Sequence, residues 1–592
     1  MFHFKKIIMK KIITIITVFT IVFFSCEDEL NVPVQSAISG DEVPLNAAFI
    51  ETQVVAAYAM LDGNRDNENV WRAAPSNWVY GEVTSDNAYK GSDAGDQSEI
   101  TAFETYAGAP QNSYVDYKWI SVFEGVARTN GVINSINKGI AAGTITAAEA
   151  NDFMAEARFL RAHYHFEAKK IWGNIPFVDE TITQSITNVD VDVWTPIEID
   201  FQYAIDNLPE ESRRVGGANS WNAKVYLAKA HMYQLDYDAA KPLLDDVINS
   251  GPYSLNTFFH DNFDADTNNS TESVFAVQYA VNDGSNDSSN GNYGDILNHP
   301  HNSPIGAGCC GFFQPSHDLV NAYLTDASGL PLIRNLPTDP ANYVKNVDPS
   351  DIIGTDTDGS SIPRNRDNDS FVSETRNLDP RLDWTVGRKG IPFNGWGDFP
   401  GLAWTRDPAN GGPYVSKKIV YRADQQGTVN TATGWATTVN AINTNIIRFS
   451  EVLLWRAEIA ADEGDLGTAV TYVDRVRARA ANPAGWVKRD DGTDAANYVI
   501  GLYADNGGFS DIDFAQEAIL FEYRLETALE GHRFFDLVRR KKADQVLNGY
   551  LTREQFRSYL SSATYADTKS IFPIPQSVID LSKGVIKQNT GY

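Results

Sequence analysis

Five aromatic side chains stand where almost everything around them is polar. Trp71 closes the run Asp66-Asn67-Glu68-Asn69-Val70-Trp71-Arg72, and Tyr293 lies in a stretch of Asn, Asp, Gly and Ser over residues 282–295. Trp396 is central to Asn394-Gly395-Trp396-Gly397-Asp398, Trp404 precedes Arg406 by two positions, and Trp435 sits in a Thr/Asn/Gly run. A large ring in a polar loop costs solubility unless its face is used. Asn69 and Arg72 put hydrogen-bonding groups beside the Trp71 ring. Such a set can stack on an apolar face and hold polar groups at its edge, which is recognition without bond-making. The competing reading for each ring is an anchor tucked onto the scaffold. Trp78 and Tyr80, and Trp119, Trp172, Trp194, Trp221 and Trp455 in or beside helical runs, are expected to pack.

Other chemistries are poorly served. Arg158, Arg161, Arg448, Glu451, Glu522, Arg524, Glu526 and Arg533 fall on amphipathic helical runs. Charges on packed helices are normally paired, so inter-helical ion pairs are expected and no catalytic residue is assigned. A glycoside-hydrolysing acid pair would need two carboxylates facing across a cleft, and nothing singles one out. The nine histidines show no metal-ligand spacing, and His163 and His165 fall on different sides of one helix. Asp356-Thr357-Asp358-Gly359 echoes a calcium loop but lacks its first and last ligands, at Gly354 and Asn365. No metal or other cofactor is expected beyond an adventitious calcium in the Asp-rich loops.

The 592-residue chain has a formal net charge of −28 and no basic block large enough to offset it. Such a surface repels nucleic acid and anionic lipid heads and suits a protein kept soluble in salty water. Its first residues are different. Lys5, Lys6, Lys10 and Lys11 precede an uncharged apolar run over residues 12–24, then Ser25-Cys26, then Glu27, Asp28 and Glu29. That run is too short and wrongly flanked to span a bilayer. It resembles a bacterial lipoprotein signal, with residues 1–25 removed and Cys26 acylated; the alternative is an ordinary leader carrying a chance cysteine. Residues 26–44 then form a tether. Cys309 and Cys310 are the remaining cysteines. Adjacent cysteines fall outside the usual disulfide geometry, so a vicinal bond and two small buried thiols both stay open.

Helical period dominates the rest. It predicts helices over 46–62, 112–138, 147–171, 195–207, 220–235, 237–249, 446–463, 467–481, 512–530 and 532–547. Thr146-x-x-Glu149 reads as a capping box, and Thr552-x-x-Gln555 as the start of a further short helix. Ala223, Tyr226, Leu227, Ala230 and Tyr233, followed by Tyr237 and Ala240, follow the tetratricopeptide pattern of small residues at helix crossings. Between about 252 and 445 the period fades and Gly, Asn, Asp, Ser and Pro crowd in. Strands are expected at 275–279 and 419–421. Long loops in a compact chain usually bind something. The layout is a single domain over 45–592, a helical scaffold at about 45–251 and 446–592 carrying a loop-rich insertion.

Several blocks, in order, resemble the SusD/RagB family of surface glycan-binding lipoproteins. They are Gly81-Glu82 through Lys90-Gly91; Glu156-Ala157-Arg158 through Phe166 with Trp172-Gly173 and Pro176; and Gly311-Phe312-Phe313-Gln314-Pro315. Leu378-Asp379-Pro380-Arg381, Arg448 through Glu458, Glu522 through Arg539, and the end from Pro573 to Tyr592 complete the set. The resemblance implies a mainly α fold: an α-superhelix of four tetratricopeptide-like pairs plus a loop-rich ligand-binding half with a few short strands. It implies a lipid-anchored protein on the outer face of the outer membrane. Its partners would be an oligosaccharide and a SusC-like TonB-dependent transporter that imports it, with no nucleic acid and no catalysis. Pyranose rings have apolar C–H faces and hydroxyl rims, so Asn69, Trp71, Arg72, Tyr293, Trp396 and Trp404 become the carbohydrate-binding candidates. Two other readings keep the architecture: a RagB-like peptide-capturing protein, and a scaffold without soluble ligand.

Overall fold

The computed structural model describes residues 45–65, 69–285, 288–344, 374–434 and 437–592. Cys26, the leader and tether, the run at Asp356 and Trp435 lie outside them. No helix among the described residues is long and apolar enough to cross a membrane.

Helices form where period and caps coincide. The longer ones are α1 (Ala47–Ala59), α2 (Ser113–Ala142), α3 (Ala147–Trp172), α4 (Trp194–Asn207), α5 (Ser220–Gln234) and α6 (Tyr237–Ser250). After the loop-rich stretch come α7 (Phe449–Asp462), α8 (Leu466–Ala480), α9 (Ile512–Thr527), α10 (Arg533–Arg539) and α11 (Ala543–Arg553). Thr146 and Glu149 make the capping box at the start of α3, and Gly173, at φ 66°, ends it. Neighbouring helices pack in succession from α2 to α6, α7 packs on α8, and α6 packs on α7 to join the two helical stretches. Gly125 of α2 shows why small residues mark the crossings: a Cβ there would lie 2.5 Å from the Tyr164 ring of α3. One apolar cluster runs from Ile50 to Ile586 and takes in Leu319, Leu382 and Tyr414 from the loop-rich stretch. A smaller cluster holds Ile305, Phe393, Phe399, Val415, Val420, Tyr421 and Ile442.

The strands are short and paired antiparallel in twos: β1 (Ala88–Gly91) with β3 (Phe312–Pro315), and β2 (Ser273–Val277) with β8 (Thr444–Arg448). β4 (Val386–Gly387) pairs with β5 (Val415–Ser416), and β6 (Asn430–Ala432) with β7 (Thr438–Asn440). Four local expectations need correction. The strand expected at 419–421 is a turn, closed by the Val420 amide on the Lys417 carbonyl, and the strand sits earlier, at β5. The helix expected from 446 begins at Phe449, because Ile447 pairs in β8 with Phe275. The helix expected over 532–547 is two helices, separated where Lys541 takes a φ of 55°. Thr552 caps no new helix; it lies in α11, and its hydroxyl donates to the Asn548 carbonyl at 2.8 Å.

The charged signature residues hold the stack together. Arg448 is fully buried and reaches Glu272 at 2.7 Å, Glu526 at 2.9 Å and Glu530 at 2.7 Å. Arg381 meets Asp379 at 2.8 Å and Glu522 at 2.7 Å, and Glu522 also meets Arg477 at 2.8 Å. Arg158 and Arg161 share Asp200, each at 2.7 Å. Glu451 accepts the Arg448 amide at 2.8 Å and so caps α7. Two blocks far apart in sequence also interlock. Glu82 accepts the amides of Gly531 at 2.8 Å and His532 at 3.0 Å, an anion at the start of α10. No Cβ fits at Gly81, since the Gly531 carbonyl occupies that space.

Candidate functional site

The Trp71 segment is a tight turn with a locked back. Asn69 takes a left-handed φ of 54°, which asparagine tolerates, and its carbonyl accepts the Arg72 amide at 2.9 Å. Val70 is buried while Asn69, Trp71 and Arg72 are half-exposed. Beneath them Lys118 of α2 donates to the carbonyls of Ala73 and Ala74, each at 3.1 Å. Burial pushes the Lys118 ammonium down to about 8 against the pull of Glu167. The Tyr80 hydroxyl lies 2.8 Å from the Arg72 carbonyl. Tyr114 braces the turn: Arg72 lies 5.4 Å over its ring, and its hydroxyl donates to Gln97 Oε1 at 2.7 Å.

The Tyr293 segment abuts this turn, although some 220 residues separate them. A Cβ at Gly294 would lie 3.0 Å from the Ala74 Cβ and 3.2 Å from Pro75 Cδ, so the two backbones touch. Asp295 rivets the contact. Its carboxylate accepts Ser76 at 2.8 Å, Asn292 at 2.9 Å and Asn298 at 3.1 Å. Burial raises its pKa, and those three donors pull the other way. Tyr293 itself is half-exposed, its hydroxyl 2.9 Å from Ser288 Oγ. Asn69, Trp71, Arg72 and Tyr293 therefore sit on adjoining loops.

Trp396 and Trp404 sit elsewhere, against the smaller apolar cluster. Trp396 donates its indole N–H to the Tyr421 carbonyl at 3.1 Å and meets the Tyr421 ring edge-on at 5.9 Å. Trp404 lies edge-on to Phe393 at 5.9 Å and Phe399 at 5.7 Å. The segment around the cysteine pair spans both regions: Ile305 belongs to the smaller cluster, while Cys309 and Cys310 pack on the main core. The two sulfurs are joined across a cis peptide, with the Cα atoms 3.1 Å apart.

Sequence reasoning did not name a second aromatic group. Trp384, His260 and Phe258 line a cleft with Asn394 and Arg422. His260 stacks on Trp384 at 3.9 Å and Phe258 on His260 at 5.5 Å. These rings cover one another, and Lys417 lies 4.7 Å from the Trp384 ring. Phe258 and His260 stand two positions apart in the sequence, and Trp384 is remote from both.

Bond-making chemistry has little to work with. Among the described residues no group of His, Cys, Asp and Glu could hold a metal ion. His163 contacts the Tyr226 hydroxyl at 2.9 Å; His165 takes the Val178 amide on one nitrogen and faces the Arg161 carbonyl with the other. Burial lowers them to about 4 and about 3, so both are neutral structural groups. Glu451, Glu104 and Glu554 are raised to about 7 by burial, yet each faces partners inside the core: the Arg448 amide, the Lys90 amide and the Tyr89 hydroxyl.

Helix pairs, short two-stranded sheets and paired buried charges define a mainly α scaffold of the SusD type. Residues 271–592 match the family model described as "SusD family", and residues 49–232 match one described as "Starch-binding associating with outer membrane". The chain belongs to the SusD family. A SusD-like protein of Bacteroides ovatus is 28% identical over 193 residues, 30% of this chain and 35% of that protein. A SusD-like protein of Formosa agariphila is 22% identical over 88% of this chain and 90% of its own. Among solved structures, a laminarin-binding SusD-like protein has a TM-score of 0.63 at 21% identity, covering 92% of this chain and 100% of that one. Surface glycan-binding protein A of Bacteroides thetaiotaomicron, in complex with laminarihexaose, has a TM-score of 0.61 at 21% identity, covering 92% and 99%.

Proposed function

We propose that this protein captures oligosaccharide at the cell surface without cleaving it and passes it to a SusC-like TonB-dependent transporter in the outer membrane. Cys26 carries the lipid, and residues 26–44 link it to the folded domain. The observation that supports this reading best is the meeting of the Trp71 and Tyr293 loops. Two half-exposed rings, with Asn69 and Arg72 beside the first, stand on backbones fixed from behind by Lys118 and Asp295. Rings held in place by a rigid support lose little entropy on stacking against a sugar. Membership of the SusD family and the glycans bound by two proteins of similar fold support the ligand class. Trp396 and Trp404 are proposed as outlying contacts for a longer chain.

Titration calorimetry with laminarihexaose and a panel of other oligosaccharides tests the reading. Saturable binding that falls in both Trp71→Ala and Tyr293→Ala is expected. Unchanged affinity in both variants would remove the site, and shortening of a labelled glycan would remove the non-catalytic assignment. No binding across glycan and peptide panels would favour a scaffold for the transporter alone. The Cys309–Cys310 bond is taken to persist in the mature protein. Alkylation without reductant should then leave both thiols unmodified by intact mass.

A further inference from the structure

A cavity of about 410 Å³ lies among α9, α10 and α11, with residues 333–338 on one side. Its floor is apolar, made by Leu520, Phe521 and Val546. Its wall is unusually cationic for so acidic a chain. Arg524, Arg533 and Arg553 line it, and they share two carboxylates. Asp86 accepts Arg533 at 2.8 and 3.0 Å and lies 3.1 Å from Arg524. Asp318 accepts Arg524 at 2.9 Å and also Arg553. Arg334 pairs with Glu517 at 2.6 Å, which leaves that pair neutral. Lys542 also lines the cavity and makes no ion pair among the described residues. The terminal nitrogens of Arg553 make no hydrogen bond there either, its Nε being the atom that meets Asp318.

Positive charge thus exceeds negative charge around this hollow, in a chain of net charge −28. Lys542 and the outer nitrogens of Arg553 are the cationic groups left to meet a ligand, and a guanidinium fork fits the paired oxygens of a carboxylate or sulfate. The volume falls within the range of small-molecule sites. We propose that this cavity is an anion site, separate from the aromatic loops, that takes the carboxylate or sulfate group of a small acidic ligand, with the carbon skeleton on Leu520, Phe521 and Val546. The overall negative field keeps casual anions away, so the local excess gives selectivity.

Calorimetric titration of the full chain at low ionic strength with sodium glucuronate, with sodium sulfate and with glucose tests this. At least one anion should bind saturably, and the two anions separate carboxylate from sulfate preference. Lys542→Gln and Arg553→Gln should each weaken that binding about tenfold, the loss of one charge-assisted hydrogen bond. Trp71→Ala should leave it unchanged, which separates this site from the glycan reading. Lys542 is half-exposed and unpaired among the described residues, so its variant keeps the fold if Arg553→Gln does not. Failure of both anions to bind, equal binding in Lys542→Gln, or loss in Trp71→Ala would overturn the assignment.

Discussion

Two sets of loop aromatics in this chain look alike in sequence, and the loops that carry them are braced differently. The Trp71 and Tyr293 loops are fixed from behind by buried polar groups, Lys118 on two carbonyls and Asp295 on three side-chain donors. Trp396 and Trp404 rest on an apolar cluster of Phe393, Phe399 and Tyr421. Polar rivets set position sharply, because every unmatched donor or acceptor is penalised. Apolar packing tolerates small shifts as long as volume is kept. The first arrangement suits rings that must hold a fixed pose, and the second suits outlying rings that can shift slightly against a longer chain.

The difference can be broken most severely at Asp295. Asp295→Ala leaves the side chains of Ser76, Asn292 and Asn298 short of an acceptor, so a loss of about 3 kcal/mol is expected in urea unfolding. Glycan affinity should fall with it, since both loops lose their joint. Lys118→Met should cost about 2 kcal/mol by the same measurement, from two carbonyls left without a donor. It also carries a pH signature. Burial lowers the Lys118 pKa to about 8, so the folded state disfavours the ammonium. Its contribution is most favourable above the ordinary lysine range and is lost as pH falls to about 8. The wild type should gain stability relative to Lys118→Met as pH rises above 8. Trp71→Ala should weaken oligosaccharide binding about tenfold or more, with a smaller loss of stability than Asp295→Ala because the ring is only partly buried against the core. Phe393→Leu, in the apolar cluster, should cost only about 1 kcal/mol and leave the affinity for a short oligosaccharide intact. Equal effects of Asp295→Ala and Phe393→Leu on binding would erase the distinction.

Much of the scaffold was legible because its signals are local. Thr146 and Glu149 cap α3 as a pair three residues apart, and Gly173 ends it. The helix-borne charges were readable as ion pairs on general grounds, although their partners were not: Glu272 meets Arg448 from a strand edge 176 residues away. The errors fall where tertiary contact overrides local pattern. Ile447 keeps helical spacing yet pairs with Phe275, and Lys541 breaks a cationic stretch that otherwise reads as continuous helix. At the site, the polar loops around Trp71 and Tyr293 were visible as composition. Their adjacency was not, because it rests on Gly294 against Ala74 and on a single carboxylate, Asp295, inside a run of similar Asn and Asp residues. The same composition placed Trp404 among the candidates, while Phe393 and Phe399, which it packs against, gave no sign of their role.

The interlock of Glu82 and Asp86 with Gly531, Arg524 and Arg533 bears on how the chain can be divided. The two family models meet the sequence on either side of a gap between residues 232 and 271, an inviting place to cut. A fragment from 271 onward would bare Arg533 without Asp86 and leave the first amides of α10 without Glu82. A chimera between relatives would meet the same difficulty if only one block were exchanged. Substitutions at 81–87 and at 524–533 are therefore best made, and swapped, together.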